Sequence, residues 1–405
     1  MRPHNTVFHG VLKPLPWAVV ERSEAEHEAD RDPRTLKAKP HLIALVLAQL
    51  SGLRSLRDIE TNLRSHAGRL YHLGGKPISR AALSTANASA ARAEVFAAVL
   101  QTLMAQVQRG YRRKIGDCVR LIDSTSVRLS RLSEDWATFS AGVCGAKAHI
   151  IYDPDADQPL YLMVTASNVN DITAAKAMPI EPGATYVFDL GYYDYAWWAA
   201  LNDAGCRIVT RLKANTPFKV VEERPVAPGS SIISDHIGHL PERLAASRRN
   251  PMAGLRREIK VMIDTGKMLR IFTNDLKASA EEIAALYKRR WHIELFFRWV
   301  KQTLKITHFL GTSENAVRLQ IIAALIAFLL LRLAHQANMI VPGSLAFARL
   351  IRANLLLRRP IADLLRAAPS PDSGPQPMFA FGELATRAAY RRRTCRTSTP
   401  IRTAV

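Results

Sequence analysis

The sequence predicts an α/β protein: a helical amino-terminal segment, then strands interleaved with helices in a mixed sheet, interrupted by a strand-rich stretch. Three observations predict it. Residues 1 to about 115 carry long apolar and amphipathic runs with Ser/Thr starts, the signature of helices. From Arg120 the apolar runs shorten and are bounded by Gly, Asp and Asn, the rhythm of strands. The run Leu286–Lys301 returns to helical periodicity and carries an apolar stripe.

The elements follow in order. His41–Leu53 and Arg54–Leu63 read as helices. Ser79–Asn87 reads as a polar, Ser-capped helix that could serve as a DNA-recognition helix or belong to a plain bundle, and Ala90–Gln108 as a long amphipathic helix behind it. Val119–Ile122 is an apolar strand running into Asp123. Lys147–Tyr152 and Pro159–Thr165 are two further strands joined by the polar turn Asp153–Gln158. Ile172–Met178 reads as a helix, Thr185–Phe188 as a strand ending at Asp189, Tyr193–Asn202 as an aromatic helix and Cys206–Thr210 as a strand. Between Leu212 and Thr273 a separate strand-rich segment is expected: Phe218–Glu222, Ser231–Ile237, and a hairpin of Arg257–Ile263 and Lys267–Thr273 turning at Thr265-Gly266. A buried helix follows Asn315, and the Pro-, Ser- and Arg-rich end beyond about Leu365 reads as a basic tail.

Composition narrows the function. Lys and Arg number 56 against 35 Asp and Glu, a formal net charge of +21, which favours a polyanionic partner, most commonly nucleic acid. The 48% hydrophobic content of 405 residues is enough for a large core. Cys118, Cys144, Cys206 and Cys395 form no CxxC pair, which excludes a zinc ribbon and points to a reducing compartment. Met1–Pro14 lacks the apolar centre of a signal peptide. The apolar run Ile321–Leu331, bracketed by Arg318 and Arg332, falls short of the ~20 residues of a membrane span. A soluble, cytoplasmic protein is expected.

The residues that carry chemistry are acidic and far apart. Asp123 in LIDSTSVRL and Asp189 in YVFDLGYY each end an apolar run, and ligands of open α/β sheets gather outside the carboxyl ends of strands. At about 100° per residue, Tyr287, Arg290, Glu294 and Lys301 share a stripe about 60° wide, beside a core-facing stripe of Leu286, Ile293, Phe297, Val300 and Leu304. Three carboxylates, Asp123, Asp189 and Glu294, suit Mg²⁺ or Mn²⁺. Two such ions about 4 Å apart can activate a water or a 3′-hydroxyl and stabilise the leaving oxygen of a phosphodiester.

Other constellations read as ordinary. Asp153, Asp155 and Asp157 imitate a calcium loop, but Gln158 and Val164 stand where it needs Gly and Glu, so a polar turn is expected. Lys147 and His149 read as strand residues near Asp123, either contacting DNA or the metal shell or holding ordinary strand positions, and Trp291, Phe296 and Trp299 as packing aromatics. Ser124 and Thr125 have no His base placed to activate them.

The spacing Tyr287-x2-Arg290-x3-Glu294-x6-Lys301, within KRRWHIELFFRWVKQTLKI and followed by FLGTSENAVRLQI, resembles the YREK signature of the cut-and-paste bacterial transposases of insertion-sequence family four. Gaps of 66 residues between the aspartates and 105 before the glutamate are similar to that family's layout. The resemblance covers roughly residues 1 to 340. It implies an RNase H-like catalytic core interrupted by a β-rich insertion, with Asp123, Asp189 and Glu294 as the metal-binding DDE triad. Tyr287, Arg290 and Lys301 would grip the transposon-end backbone, and Arg211 matches a further basic position. The implied organisation is a helical DNA-binding domain (1–115), a core in two parts (116–211 and 274–340), the insertion (212–273) and a carboxyl-terminal helix and basic tail (341–405). The implied activity is magnesium-dependent DNA transposition: nicking at the element's own ends, a hairpin intermediate and strand transfer, by a homodimer in the synaptic complex. The alternatives are a transposase-derived DNA-binding protein without activity and a nuclease without strand transfer. One departure stands out. The family's base-stacking tryptophan of the insertion is missing, since no Trp lies between Trp198 and Trp291, leaving Phe218, His236 or His239 as stand-ins.

Overall fold

In a computed structural model, residues 5–27, 36–109, 114–140, 142–243, 248–304 and 308–366 are described. The basic tail expected after Leu365, with Cys395, lies almost wholly outside them. Ten strands form one mixed sheet: β1 Val119–Leu129, β2 Thr138–Ser140, β3 Val143–Asp153, β4 Gln158–Ala166, β5 Thr185–Val187, β6 Arg207–Arg211, β7 Lys219–Arg224, β8 Ile232–His239, β9 Leu255–Met262 and β10 Met268–Thr273. The order is β2-β3-β1-β5-β6-β10-β9-β8-β7, with β4 paired to β3. β1, β5 and β6 run parallel to one another, and every other pairing is antiparallel.

Two expectations change here. The strand-rich segment after Leu212 is not separate from the sheet, because β10 pairs with β6 through Ile271↔Arg211, Phe272↔Thr210 and Thr273↔Val209 and carries β9, β8 and β7 outward. The β1 strand does not stop at Asp123. It runs on to Leu129, because β3 remains a partner along the whole length, from Leu121↔Tyr152 to Leu129↔Cys144. The hairpin turns fall as expected: Gly266 takes φ 74° between β9 and β10, and Asp157 takes φ 49° between β3 and β4.

The helices of residues 7–109 pack around Glu314–Asn338, which touches Val7–Leu12, Ala38–Ser51, Arg80–Ala88 and Ala90–Arg109. This helix has 25 residues, well beyond the apolar run read from sequence, and by length and composition alone it could cross a membrane. In its most apolar window 83% is buried inside the protein, so its apolar surface is met by other helices. Ser313 caps its start by accepting the Ala316 N–H, and Met339 ends it with φ 43°.

The run expected as one helix over Leu286–Lys301 is two, Ala280–Arg289 and Trp291–Thr303, hinged at Arg290. There the bonds tighten to three-residue spacing: the Arg290 N–H reaches the Tyr287 carbonyl and the Ile293 N–H the Arg290 carbonyl. The core stripe holds across the hinge, with Leu286, Ile293, Phe297, Val300 and Leu304 all buried.

The start of that helix pair is tied to the added strands by Arg257, which is 1% exposed. It donates Nε and Nη2 to the two Asp235 carboxylate oxygens at 2.7 and 2.6 Å, and Nη1 to the Ala278 carbonyl at 2.5 Å. Removing one partner of such a pair strands a buried charge. Asp235→Ala is expected to destabilise the fold by about 3–5 kcal/mol in urea denaturation, and adding Arg257→Met to recover most of that loss.

Candidate active site

Asp123 and Asp189 lie at the same end of the parallel strands. Pairing of β1 with β5 ends at Leu121↔Val187. On that side Asp123 therefore projects past the last β5 partner, although it sits in mid-strand opposite Ile150 of β3. Asp189 follows β5 by two residues and caps the turn Leu190–Tyr192, its Oδ1 accepting the Gly191 N–H at 2.8 Å. Glu294 stands in the first turn of Trp291–Thr303.

Arg290 joins these acids. From the hinge its Nη1 lies 3.4 Å from Asp123 Oδ2 and its Nη2 2.5 Å from Glu294 Oε1. Burial opposes the charge on Arg290, yet Tyr287, Glu294 and Asp123 together raise its pKa. Asp123 Oδ1 also accepts the Ser124 N–H at 2.8 Å. Burial first, then the like charges of Asp189 and Glu294, lift the Asp123 carboxyl to about 6, against the Ser124 bond and Arg290. Tyr287 is pushed up by burial and by Asp189, with Arg290 and Arg211 pulling the other way. The Nε of Arg211, at the end of β6, is buried without a hydrogen-bond partner. Lys301 donates to the Ser126 carbonyl at 2.9 Å, and burial lowers its pKa. The sequence-selected residues are thus drawn to one region.

Two clefts border these residues. A cleft of about 570 Å³ is lined by Asp123, Thr125, Glu294, Arg298, Lys301 and Gln302. A second, of about 610 Å³, lies between the added strands and the hinge, lined by Arg211, Val261, Ile263, Tyr287, Arg290 and Trp291.

Among the described residues no three His, Cys, Asp or Glu side chains form a ready metal cluster; Arg290 stands between Asp123 and Glu294 instead. The donor chemistry nevertheless fits a hard divalent cation. These are carboxylate oxygens close enough that, after burial itself, Asp189 and Glu294 both raise the Asp123 pKa.

Trp291 departs from the packing role expected of it. Trp291 is 50% exposed in the second cleft, whereas Phe296 is buried and Trp299 packs edge-on against Phe328. The site side of this helix is polar, so Trp291 has no core to enter. His149 is fully buried with its Nε2 on Thr165, and burial pulls its pKa to about 4. Lys147 turns inward to the Val169 carbonyl and Asp171. Of the stand-ins in the added strands, His239 bonds the Ala253 carbonyl, His236 lies near Glu223, and Phe218 packs against the core. Sequence reasoning passed over Asp171. Its place after Asn170, in the first turn of a helix, reads as an ordinary helix-start acid.

The Asp123 pKa carries a testable sign. In the unfolded chain the carboxyl titrates near 3.8 and in the fold near 6, so the folded state holds the proton more tightly. Stability is then lost as pH rises through that window, and the penalty is complete above it. In metal-free buffer Asp123→Asn should raise stability at pH 7 by up to about 3 kcal/mol, with the gain vanishing towards pH 4. Melting temperatures at both pH values check this, and a gain independent of pH would contradict it.

Comparison with known proteins places this geometry. Residues 114–330 match the model of the transposase DDE domain, and residues 3–76 match a domain of unknown function, DUF4372. The chain is 42% identical over 307 residues to the putative transposase y4zB of Sinorhizobium fredii, covering 75% of this chain and 85% of that one. It is 29% identical over 270 residues to a probable transposase for insertion sequence element IS5377 of Geobacillus stearothermophilus, covering 64% and 68%. Over 55 residues it is 44% identical to a putative transposase for insertion sequence element IS4SA of Synechocystis, covering 14% and 16%. With the DDE domain matched over more than half its length and relatives of this kind, the chain belongs to the DDE transposases of insertion-sequence family four.

Proposed function

We propose that the protein performs cut-and-paste transposition of its own element, with Asp123, Asp189 and Glu294 as the catalytic acids of an RNase H-like core. One observation carries the reading: carboxylates from β1, from the turn after β5 and from the hinged helix feel one another's charge at Asp123, across Arg290. The strand order β4-β3-β1-β5-β6, with only β3 antiparallel to both neighbours, supports the core assignment. The β7–β10 strands between β6 and the hinged helix are the insertion.

The three acids would hold Mg²⁺ or Mn²⁺, as two ions, which would polarise the scissile phosphate and activate the attacking oxygen. The chain's own groups bind and orient. Lys301 and Arg298 face the cleft beside the acids, and Tyr287, Arg290 and Arg211 border the second cleft. They grip the phosphates on either side of the cleaved bond, where charge-assisted bonds to phosphate are strongest. Cleavage leaves a 3′-hydroxyl that attacks the opposite strand, giving a hairpin end that is reopened and joined to target DNA. Trp291, rather than a side chain of the insertion, offers the exposed ring on which an extrahelical base would stack. The helices of residues 7–109 bind DNA, with Ser79 capping Arg80–Ala88 and a polar side of that helix (Arg80, Ser84, Thr85) exposed. The active species is a homodimer on paired ends, in the cytoplasm at the nucleoid.

Asp123→Ala, Asp189→Ala and Glu294→Ala are each expected to abolish Mg²⁺-dependent nicking of element ends while gel-shift binding persists; normal cleavage by any one would reject the triad. Lys301→Ala is expected to weaken end binding and to reduce the slope of log affinity against log salt by about 1. Titrations at three salt concentrations read that slope. Joined products in a plasmid assay distinguish a transposase from a nuclease, which would give nicks alone.

A further inference from the structure

A fourth carboxylate, Asp171, bonds the holder of one aspartate and lies close to the holder of the other. Asp123 is fixed by the N–H of Ser124, and the Ser124 hydroxyl donates to Asp171 Oδ1 at 2.9 Å. Asp189 is fixed by the N–H of Gly191, and a Cβ at Gly191 would stand 3.0 Å from Asp189 Oδ1 and 3.3 Å from Asp171 Oδ2. The two oxygens of Asp171 therefore face the two residues that orient the aspartates. Tyr192, 1% exposed, feels the charges of Asp123, Asp171 and Asp189 together, after burial itself.

Asp171 is itself anchored. Its Oδ1 lies 3.1 Å from Lys147 Nζ and 3.7 Å from His149 Nδ1, a buried nitrogen with no hydrogen-bond partner. Lys147 and His149 stand on β3 opposite Ser126 and Ser124 of β1. With Lys147 beside it, Asp171 can sit near the aspartates without adding a full charge to theirs.

We propose that Asp171 is a positioning residue that sets the separation and orientation of the Asp123 and Asp189 carboxylates, through the Ser124 hydroxyl on one side and the bare Cα of Gly191 on the other. This rests on those two aspartates being metal ligands. Outer groups that orient ligands typically change metal affinity 10–100-fold when removed. Gly191 is not held in left-handed backbone, so a methyl there acts by contact with the carboxylates rather than by strain.

The test is Mn²⁺ titration of the full-length protein, reading free ion by electron paramagnetic resonance, with a melting temperature for each variant. Asp171→Ala and Gly191→Ala are expected to weaken Mn²⁺ binding at least tenfold while melting within a few degrees of wild type. Asp171→Asn keeps an acceptor for Ser124 and is expected to bind more tightly than Asp171→Ala. Wild-type affinity in folded Asp171→Ala and Gly191→Ala overturns the proposal, as does Asp171→Asn binding no better than Asp171→Ala, which would mean charge and not geometry. Should Asp171→Ala fail to fold, Ser124→Ala removes one arm alone, and unchanged affinity there has the same force. Asp123→Ala separates the two readings: if it binds Mn²⁺ normally, the metal assignment has failed and not the positioning.

Discussion

Two carboxylates held on one guanidinium, with a third close to the first, are the constraint on which the site depends. Asp123 and Glu294 share Arg290, and Asp189 adds its charge to Asp123. Like charges in a half-buried pocket repel unless something positive stands among them. Arg290 can stand there because the backbone breaks at that residue, between Ala280–Arg289 and Trp291–Thr303. Hinge and charge compensation are properties of one position.

The scaffold keeps that hinge from drifting. Phe296 packs on Tyr152 of β3 at 4.9 Å and edge-on to Phe328 at 5.1 Å, and Trp299 meets Phe328 at 5.0 Å. The Glu294 helix is thus wedged between the sheet and the buried helix Glu314–Asn338. The β3–β4 turn adds a clamp of charges: Asp153 pairs with Arg120, Asp155 with Arg289 next to the hinge, and Asp157 with Arg332 of the buried helix. The three aspartates that imitate a calcium loop tie strand, hinge and helix together.

Much of this was legible in the sequence, and the gaps have physical causes. The strand and helix order is carried by hydrophobic periodicity, which burial enforces directly, so Lys147–Tyr152, Pro159–Thr165 and the Gly266 turn fall where expected. The extent of β1 past Asp123 was not legible, because its last residues are held by β3, a partner that local pattern cannot reveal. The hinge at Arg290 was hidden for a related reason, since Lys-Arg-Arg-Trp-His is helix-compatible throughout and only tertiary packing chooses the tightened turn. Asp171 was invisible because its neighbours, Ser124 within β1 and Gly191 in the turn after β5, are distant in sequence. Trp291 was misassigned because an aromatic on a helix usually faces the core.

Charge pairing also explains how a strongly basic chain can keep an acidic site. The net charge of +21 draws a polyanion from a distance, while repulsion near the cut bond is a local matter. Away from the site many acids are paired: Asp235 with Arg257, Asp194 with Lys176 and Asp157 with Arg332, while Arg120 holds both Asp153 and Glu181 and Arg207 both Asp275 and Glu282. At the site the pairing is incomplete. Asp123 and Glu294 divide one arginine, and among the described residues Asp189 has no ion-pair partner. Asp123, Asp189 and Glu294 therefore face one another with a single paired guanidinium, a local negative excess that opposes an approaching phosphate. A local excess of carboxylate charge inside a strongly basic protein suits a bound divalent cation beside an incoming polyanion.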